Sequence, residues 1–227
     1  MFRKIMELLA ALAVLAGILL AGSRVSTYVS ADQENIRRSL VVLDPGHGGR
    51  DPGKVAADGT LEKDLNLAIA LQVQKRLEKD GMEVVMTREK DEMLAEEDAP
   101  NKKIEDLNNR IKLINRRQPA IAVSIHQNSY PDETVRGPQV FYFTHSSKGE
   151  EAALTMQKEL LEFDPEYTRQ SKANDTYYLL KKTEVPSIIV ECGFLSCPQE
   201  AAELGKESYQ KKIAQAIAKG IESWVVK

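Results

Sequence analysis

The chain has 227 residues, 42% of them hydrophobic, which is enough for one sizeable buried core and gives no reason to expect a second. Lys and Arg number 31 against 34 Asp and Glu, so the formal net charge is -3, and aromatic residues make up only 6%. With neither a basic field nor a ladder of stacking rings, nucleic acid is excluded as an expected partner.

Arg3 and Lys4 precede an apolar stretch from Leu8 to Ala21 that only Gly17 relieves. A basic flank followed by such a stretch is an export pattern, although its roughly 14 residues fall short of the roughly 20 of a spanning helix. Small residues at Ala21-Gly22-Ser23 and at Val29-Ser30-Ala31 both suit a signal peptidase. Residues 1–30 therefore read as a signal peptide or a membrane anchor, residues 31–38 as a linker, and residues 39–227 as one folded domain. An exported chain, tied to the membrane if uncleaved, is the expectation.

After the linker, strands and helices alternate. Leu40 to Leu43 reads as a strand, and Leu61 to Lys79 as a helix with Thr60 as N-cap, a stripe of Leu65, Ile69, Val73 and Leu77, and Gly81 as its stop. Glu83 to Met86 makes a second strand. The acidic loop from Glu89 to Pro100 precedes a helix with Ile104, Leu107, Ile111 and Ile114 on one face, closed by Pro119. Ala120 to Ile125 is apolar on both faces, as a central strand covered on two sides should be. A strand from Gly137-Pro138 to Phe143 leads to a helix over about Lys148 to Phe163, then to a short edge strand over Tyr177 to Leu180. Ser187 to Val190 is another buried strand. The last helix, about Tyr209 to Trp224, carries Tyr209, Ile213, Ile217 and Ile221 at four-residue spacing. This alternation predicts a single α/β domain, a three-layer α/β/α sandwich around a mostly parallel twisted sheet.

Three of the apolar runs lead into polar groups: Leu40–Leu43 into His47, Ala120–Ile125 into His126, and Ser187–Val190 into Glu191. In open α/β sheets reactive groups gather beyond the carboxyl ends of strands, so these residues point at one site. His47 sits in Asp44-Pro45-Gly46-His47-Gly48-Gly49, where glycine permits sharp turns and close approach to a ligand. Glu62 lies seven residues before Ile69 and so faces inward, where a carboxylate needs a cation. Its alternative role is a first-turn acid that complements the helix dipole.

Two imidazoles and one carboxylate, His47, His126 and Glu62, form the ligand set of a catalytic zinc site with a fourth position left for water. Such a site lowers the pKa of its water from about 15.7 towards about 7. Glu191 then reads as the carboxylate that takes a proton during attack and passes it to a leaving amine, or as half of a structural salt bridge. Asn128 is a candidate substrate contact or a turn residue. His145 reads as surface. Cys192 and Cys197 suit either a small disulfide loop or two buried thiols.

Taken in order, VVLDPGHGG, DGTLEKDLNLAIA, TRE, IAVSIHQNS, RGPQVFYF and PSIIVECGFLS resemble the zinc-dependent N-acetylmuramoyl-L-alanine amidases of the amidase-3 type, from about Leu40 to the C-terminus. The resemblance implies one Zn2+ held by His47, Glu62 and His126, with Glu191 as catalytic carboxylate. It also implies cleavage of the amide between N-acetylmuramic acid and the L-alanine of the peptidoglycan stem peptide. The leading apolar segment and the lack of wall-binding repeats look most like the sporulation and germination subgroup, which strips peptides in the spore cortex on the way to muramic δ-lactam. Lys54 stands where many relatives carry a small residue, Cys197 where Asn is common, and Asn128 where some relatives place an acid.

Peptidoglycan strands and stem peptides are the expected partners, with an activating or localising protein in place of a wall-targeting module. The rival readings are a zinc peptidase that trims stem peptides, with Arg88, Arg110 or Arg136 for the terminal carboxylate, and a non-catalytic wall-binding protein.

Overall fold

A computed structural model describes residue 6, residues 40–163 and residues 166–226. The leader and linker readings lie, apart from Met6, outside the described residues. The described residues from Leu40 onward form one compact unit. Among the described residues no helix is long and apolar enough to cross a membrane.

Four strands run parallel: β1 (Leu40–Pro45), β2 (Glu83–Met86), β3 (Ile121–Asn128) and β6 (Ser187–Phe194). β4 (Gln139–Phe143) lies antiparallel to β6, and the edge strand β5 (Lys172–Asn174) is parallel to β4. The sheet order is β2-β1-β3-β6-β4-β5. Every residue of β1 and β6 is buried, as strands covered on both faces should be.

Side chains alternate across the sheet and so sort into two cores. Val41, Leu43, Val123, Ile125, Ile188 and Val190 face the larger one, together with α1 (Glu62–Lys79), α3 (Ser147–Phe163) and α6 (Glu207–Val225). Val42, Ala122 and Ile189 face the smaller one, under α2 (Lys102–Arg117) and the short α4 (Tyr178–Lys182). The result is the expected three-layer sandwich. The stripe Leu65, Ile69, Val73 and Leu77 is buried, as are Ile213, Ile217 and Ile221; each such side chain contributes roughly 1.5–3 kcal/mol on removal from water.

Several expectations need correction. Tyr177 to Leu180 is not a strand. Asn174 Oδ1 accepts the backbone N–H groups of Thr176 and Tyr177, both at 2.8 Å, and this Asx turn launches the one-turn helix α4 instead. Adjacent Leu179 and Leu180 are then both buried in the same core, which a strand would not allow. Leu61, with no side-chain hydrogen bond, caps α1 in place of Thr60. Ile104 is 55% exposed despite its place in the apolar stripe of α2. β3 and β6 continue to Asn128 and Phe194, so His126 and Glu191 lie within strands rather than at their ends. A further helix, α5 (Pro198–Leu204), opens on proline. Cys192 and Cys197 are free buried thiols.

A charged pair, Asp44 and Arg110, lies buried within the domain. Asp44 accepts from Thr87 Oγ1 and Ser124 Oγ, each at 2.6 Å, and Arg110 Nη1 reaches it at 2.7 Å. Burial alone would push the Asp44 carboxyl up, but the Arg110 guanidinium and the two hydroxyls outweigh it and hold the carboxyl below its ordinary value. A carboxyl depressed in the folded state adds stability that is present above its unfolded pKa of about 3.9 and lost as pH falls below it. The wild-type melting temperature should therefore drop as pH is lowered from about 4, and Asp44→Asn should flatten that dependence. Arg110→Met, which strands the carboxylate, should cost about 3–5 kcal/mol in denaturant melts at neutral pH.

Candidate metal centre

The loop after β1 brings the first imidazole into place. His47 has φ 62, a left-handed conformation that few non-glycine residues adopt. Two buried arginines hold the backbone there. Arg110 donates to the carbonyls of Pro45 at 2.8 Å and His47 at 2.6 Å, and Arg88 to those of Pro45 and Gly46, both at 3.0 Å. Gly46 is required by space, since a Cβ there would lie 2.1 Å from His126 Cε1.

The Glu62 carboxylate, 4% exposed, is where the elements converge. Its Oε1 lies 3.0 Å from His126 Nδ1 and 3.2 Å from His47 Nε2, and accepts from the Gln127 backbone N–H at 3.1 Å and from Asn66 Nδ2 at 3.3 Å. Oε2 accepts the Lys54 backbone N–H at 2.7 Å. Burial works against the charge, but hydrogen bonds and attraction from His126 and His47 hold the Glu62 carboxyl far below the usual carboxylate range. The His126 imidazole is raised in turn, its burial outweighed by Glu62.

A ligand atom from each of His47, Glu62 and His126 lies within 4.8 Å of the other two. Tetrahedral zinc with bonds of about 2.0–2.1 Å sets neighbouring ligand atoms about 3.3 Å apart, and the two histidine–carboxylate separations, 3.0 and 3.2 Å, fit that edge. The donor set, two imidazoles and one carboxylate, is that of a zinc hydrolase site. Asp51 Oδ2 sits 2.8 Å from His47 Nδ1 and 3.2 Å from Lys103 Nζ. It fixes the ring so that Nε2 is the nitrogen turned to Glu62.

Glu191 is the Cα partner of His126 across the β3–β6 ladder. Burial is the main cause that pushes its carboxyl up to about 7; the negative charge of Glu62 adds to this, against the pull of His126. Its Oε2 is buried with no hydrogen-bond partner, and Oε1 lies 3.5 Å from the Tyr177 hydroxyl. His47, His126, Glu191 and Tyr177 line one pocket.

Four sequence-selected residues thus come together and Asn128 stands aside. The Asn128 side-chain oxygen accepts the Ser129 backbone N–H at 2.7 Å, and its carbonyl accepts the Leu195 N–H, which is turn and strand-end chemistry. His145 is exposed. The supporting residues Asp51, Lys103, Asn66 and Tyr177 escaped sequence reasoning. Only Asp51, four residues after His47 in a glycine-rich loop, carried a local signal.

Residues 41–223 match the N-acetylmuramoyl-L-alanine amidase family, Amidase_3. The chain belongs to this family. The amidase is 41% identical to the germination-specific N-acetylmuramoyl-L-alanine amidase of Bacillus subtilis over 80% of this chain and 78% of that one. Among solved structures it is similar to the CwlD amidase of Clostridioides difficile in complex with the GerS lipoprotein, with TM-score 0.80 and 39% identity over 83% of this chain and 98% of that one. It is also similar to AmiC2 of Nostoc punctiforme, with TM-score 0.73 and 31% identity over 84% and 98%. Membership decides for an amidase over the peptidase and scaffold readings. The arginines agree, since Arg88 and Arg110 are spent on backbone carbonyls and Asp44, and Arg136 pairs with Glu166.

Two substitutions test the geometry of this amidase without touching a ligand. Gly46→Ala should displace His126 and lower metal retained after dialysis by at least about tenfold, read by elemental analysis. Asp51→Ala should weaken divalent-metal affinity by about 10–100-fold in competition titrations while leaving the far-ultraviolet spectrum unchanged.

Proposed function

We propose that the protein is an exported, zinc-dependent amidase of spore-cortex peptidoglycan. In this reading His47, Glu62 and His126 hold one Zn2+, Glu191 carries the proton, and residues 39–227 are the catalytic domain behind a signal peptide or anchor. The observation that carries it is Glu191, a buried carboxyl beside His126 with one oxygen unpartnered.

A bound zinc ion would supply Lewis acidity towards a carbonyl oxygen and towards water. The protein's own residues do the rest. Water adds its oxygen to the lactyl carbonyl carbon, and Glu191 takes one of its protons. As the C–N bond breaks, Glu191 returns that proton to the alanine nitrogen, leaving a lactyl carboxylic acid and a free amine, which settle at neutral pH as carboxylate and ammonium once the second water proton has passed to the amine. A carboxyl poised near 7 suits both halves of that exchange at neutral pH. The buried Glu62 and the hydrogen bonds that hold the candidate ligands keep reorganisation small.

The cortex assignment rests on the likeness to the germination-specific amidase, and implies a product of bare muramic acid from which δ-lactam can form. The GerS complex of the similar CwlD amidase supports a protein partner that localises or activates this one. Asn128 remains a candidate substrate contact through its side-chain amide nitrogen.

Glu191→Ala should retain zinc at the wild-type stoichiometry and lose turnover by several orders of magnitude, read by mass spectrometry of muropeptides from purified cortex. Release of stem peptides by that variant at the wild-type rate would sink the assignment. Chelation of wild type should abolish release, and added zinc should restore it. Spores that lack the protein should contain peptide-bearing muramic acid in place of δ-lactam.

A further inference from the structure

The hydroxyl of Tyr177 takes no part in the proton exchange above, yet its position is fixed. Asn174 Oδ1 clamps the backbone N–H groups of Thr176 and Tyr177 at 2.8 Å and accepts the Thr176 hydroxyl at 3.0 Å. The Tyr177 ring meets Phe141 edge to face, with centroids 5.4 Å apart and planes at 83°. Backbone and ring are thus held from two sides, on β5 and on β4. That leaves the hydroxyl 3.5 Å from Glu191 Oε1, in the pocket that also holds His47 and His126.

Carboxylates that move protons work only within a narrow range of orientations, and a carboxyl with two free oxygens can rotate out of it. Here the oxygens differ: Oε1 faces the phenol and Oε2 has no partner. The phenol stays protonated at neutral pH, since burial and the nearby Glu191 charge push it up to about 12, and so it can only donate to that carboxylate. The contact is long, as hydrogen bonds of substrate-free sites often are before they tighten in the reacting complex.

We propose that Tyr177 is a positioning residue for Glu191: its hydroxyl holds Oε1 and so fixes the orientation in which the carboxyl exchanges the proton with water and with the leaving nitrogen. The proposal rests on the role assigned to Glu191 above. It adds a requirement on a residue outside the metal ligand set, supplied by the antiparallel half of the sheet.

Tyr177→Phe is the informative variant, because it keeps the ring against Phe141 and removes only the hydroxyl. With a purified disaccharide-tetrapeptide substrate, kcat should fall about tenfold or more while KM stays within about twofold. Zinc stoichiometry should be unchanged and the melting temperature should shift by no more than a few degrees. Crystals of the variant should show the Glu191 carboxyl in more than one orientation. An unchanged kcat overturns the proposal. So does a fall in kcat accompanied by loss of zinc or an equal rise in KM, since either marks a collapsed pocket instead of a misplaced carboxyl. Glu191→Ala, assayed alongside, separates the two layers. If it turns over at the wild-type rate, the role of Glu191 is wrong and the proposal goes with it; if it is inactive while Tyr177→Phe matches wild type, only the proposal fails.

Discussion

The buried ion pair between Asp44 and Arg110 is the constraint from which the site follows. Asp44 stands on β1, gathers hydroxyls from Thr87 beyond β2 and from Ser124 on β3, and fixes a guanidinium carried by α2. That guanidinium, also bound to Asp106, spends its remaining hydrogens on the carbonyls of Pro45 and His47. Three neighbouring strands and a helix are thus referred to one point, and the backbone of the first metal-ligand candidate hangs from it. A buried pair is poor evidence of net stability, because desolvation offsets much of the attraction. Its value here is geometric, since it holds the left-handed conformation at His47 that an isolated loop would abandon.

Two carboxyls a short way apart meet opposite fates, and environment decides which. Glu62 has two imidazoles and three N–H donors around it and is held ionised. Glu191 has burial without equal compensation and is held near 7. A ligand for a cation must keep its charge at all working pH, whereas a proton carrier must be able to change. One side chain type suits both proposed roles because α1 presents Glu62 to a crowd of donors while β6 buries Glu191 with a single long contact to Tyr177.

Much of this was legible in the chain. The four-residue stripes of α1 and α6 and the doubly apolar runs of β1, β3 and β6 gave the layers, because burial on both faces leaves a clear trace in composition. His47, Glu62, His126 and Glu191 were readable because an ionisable group set against buried apolar residues has to be paired, ligated or chemically active. Tyr177–Leu180 misled because its residues suit strands; the Asx turn at Asn174 decides the matter, and a single side-chain oxygen has no periodicity. Arg88 and Arg110 were visible only as candidates of the rival peptidase reading, since most of their partners are backbone carbonyls, which carry no residue identity. Tyr177 meets Glu191 across 14 residues of chain, a proximity in space that spacing along the chain does not encode.

The pairing of β3 with β6 has a consequence in time. His126 and Glu191 face each other across that ladder, and β6 is the last strand among the described residues. Contacts between distant segments form late, after the entropy of closing the intervening loop has been met. A chain still emerging, or one cut before Ser187, lacks Glu191 together with the strand that β3 and β4 pair against. On the role proposed for Glu191, hydrolytic competence is therefore withheld until β6 has docked, so that the amidase is inert for as long as it is unfinished.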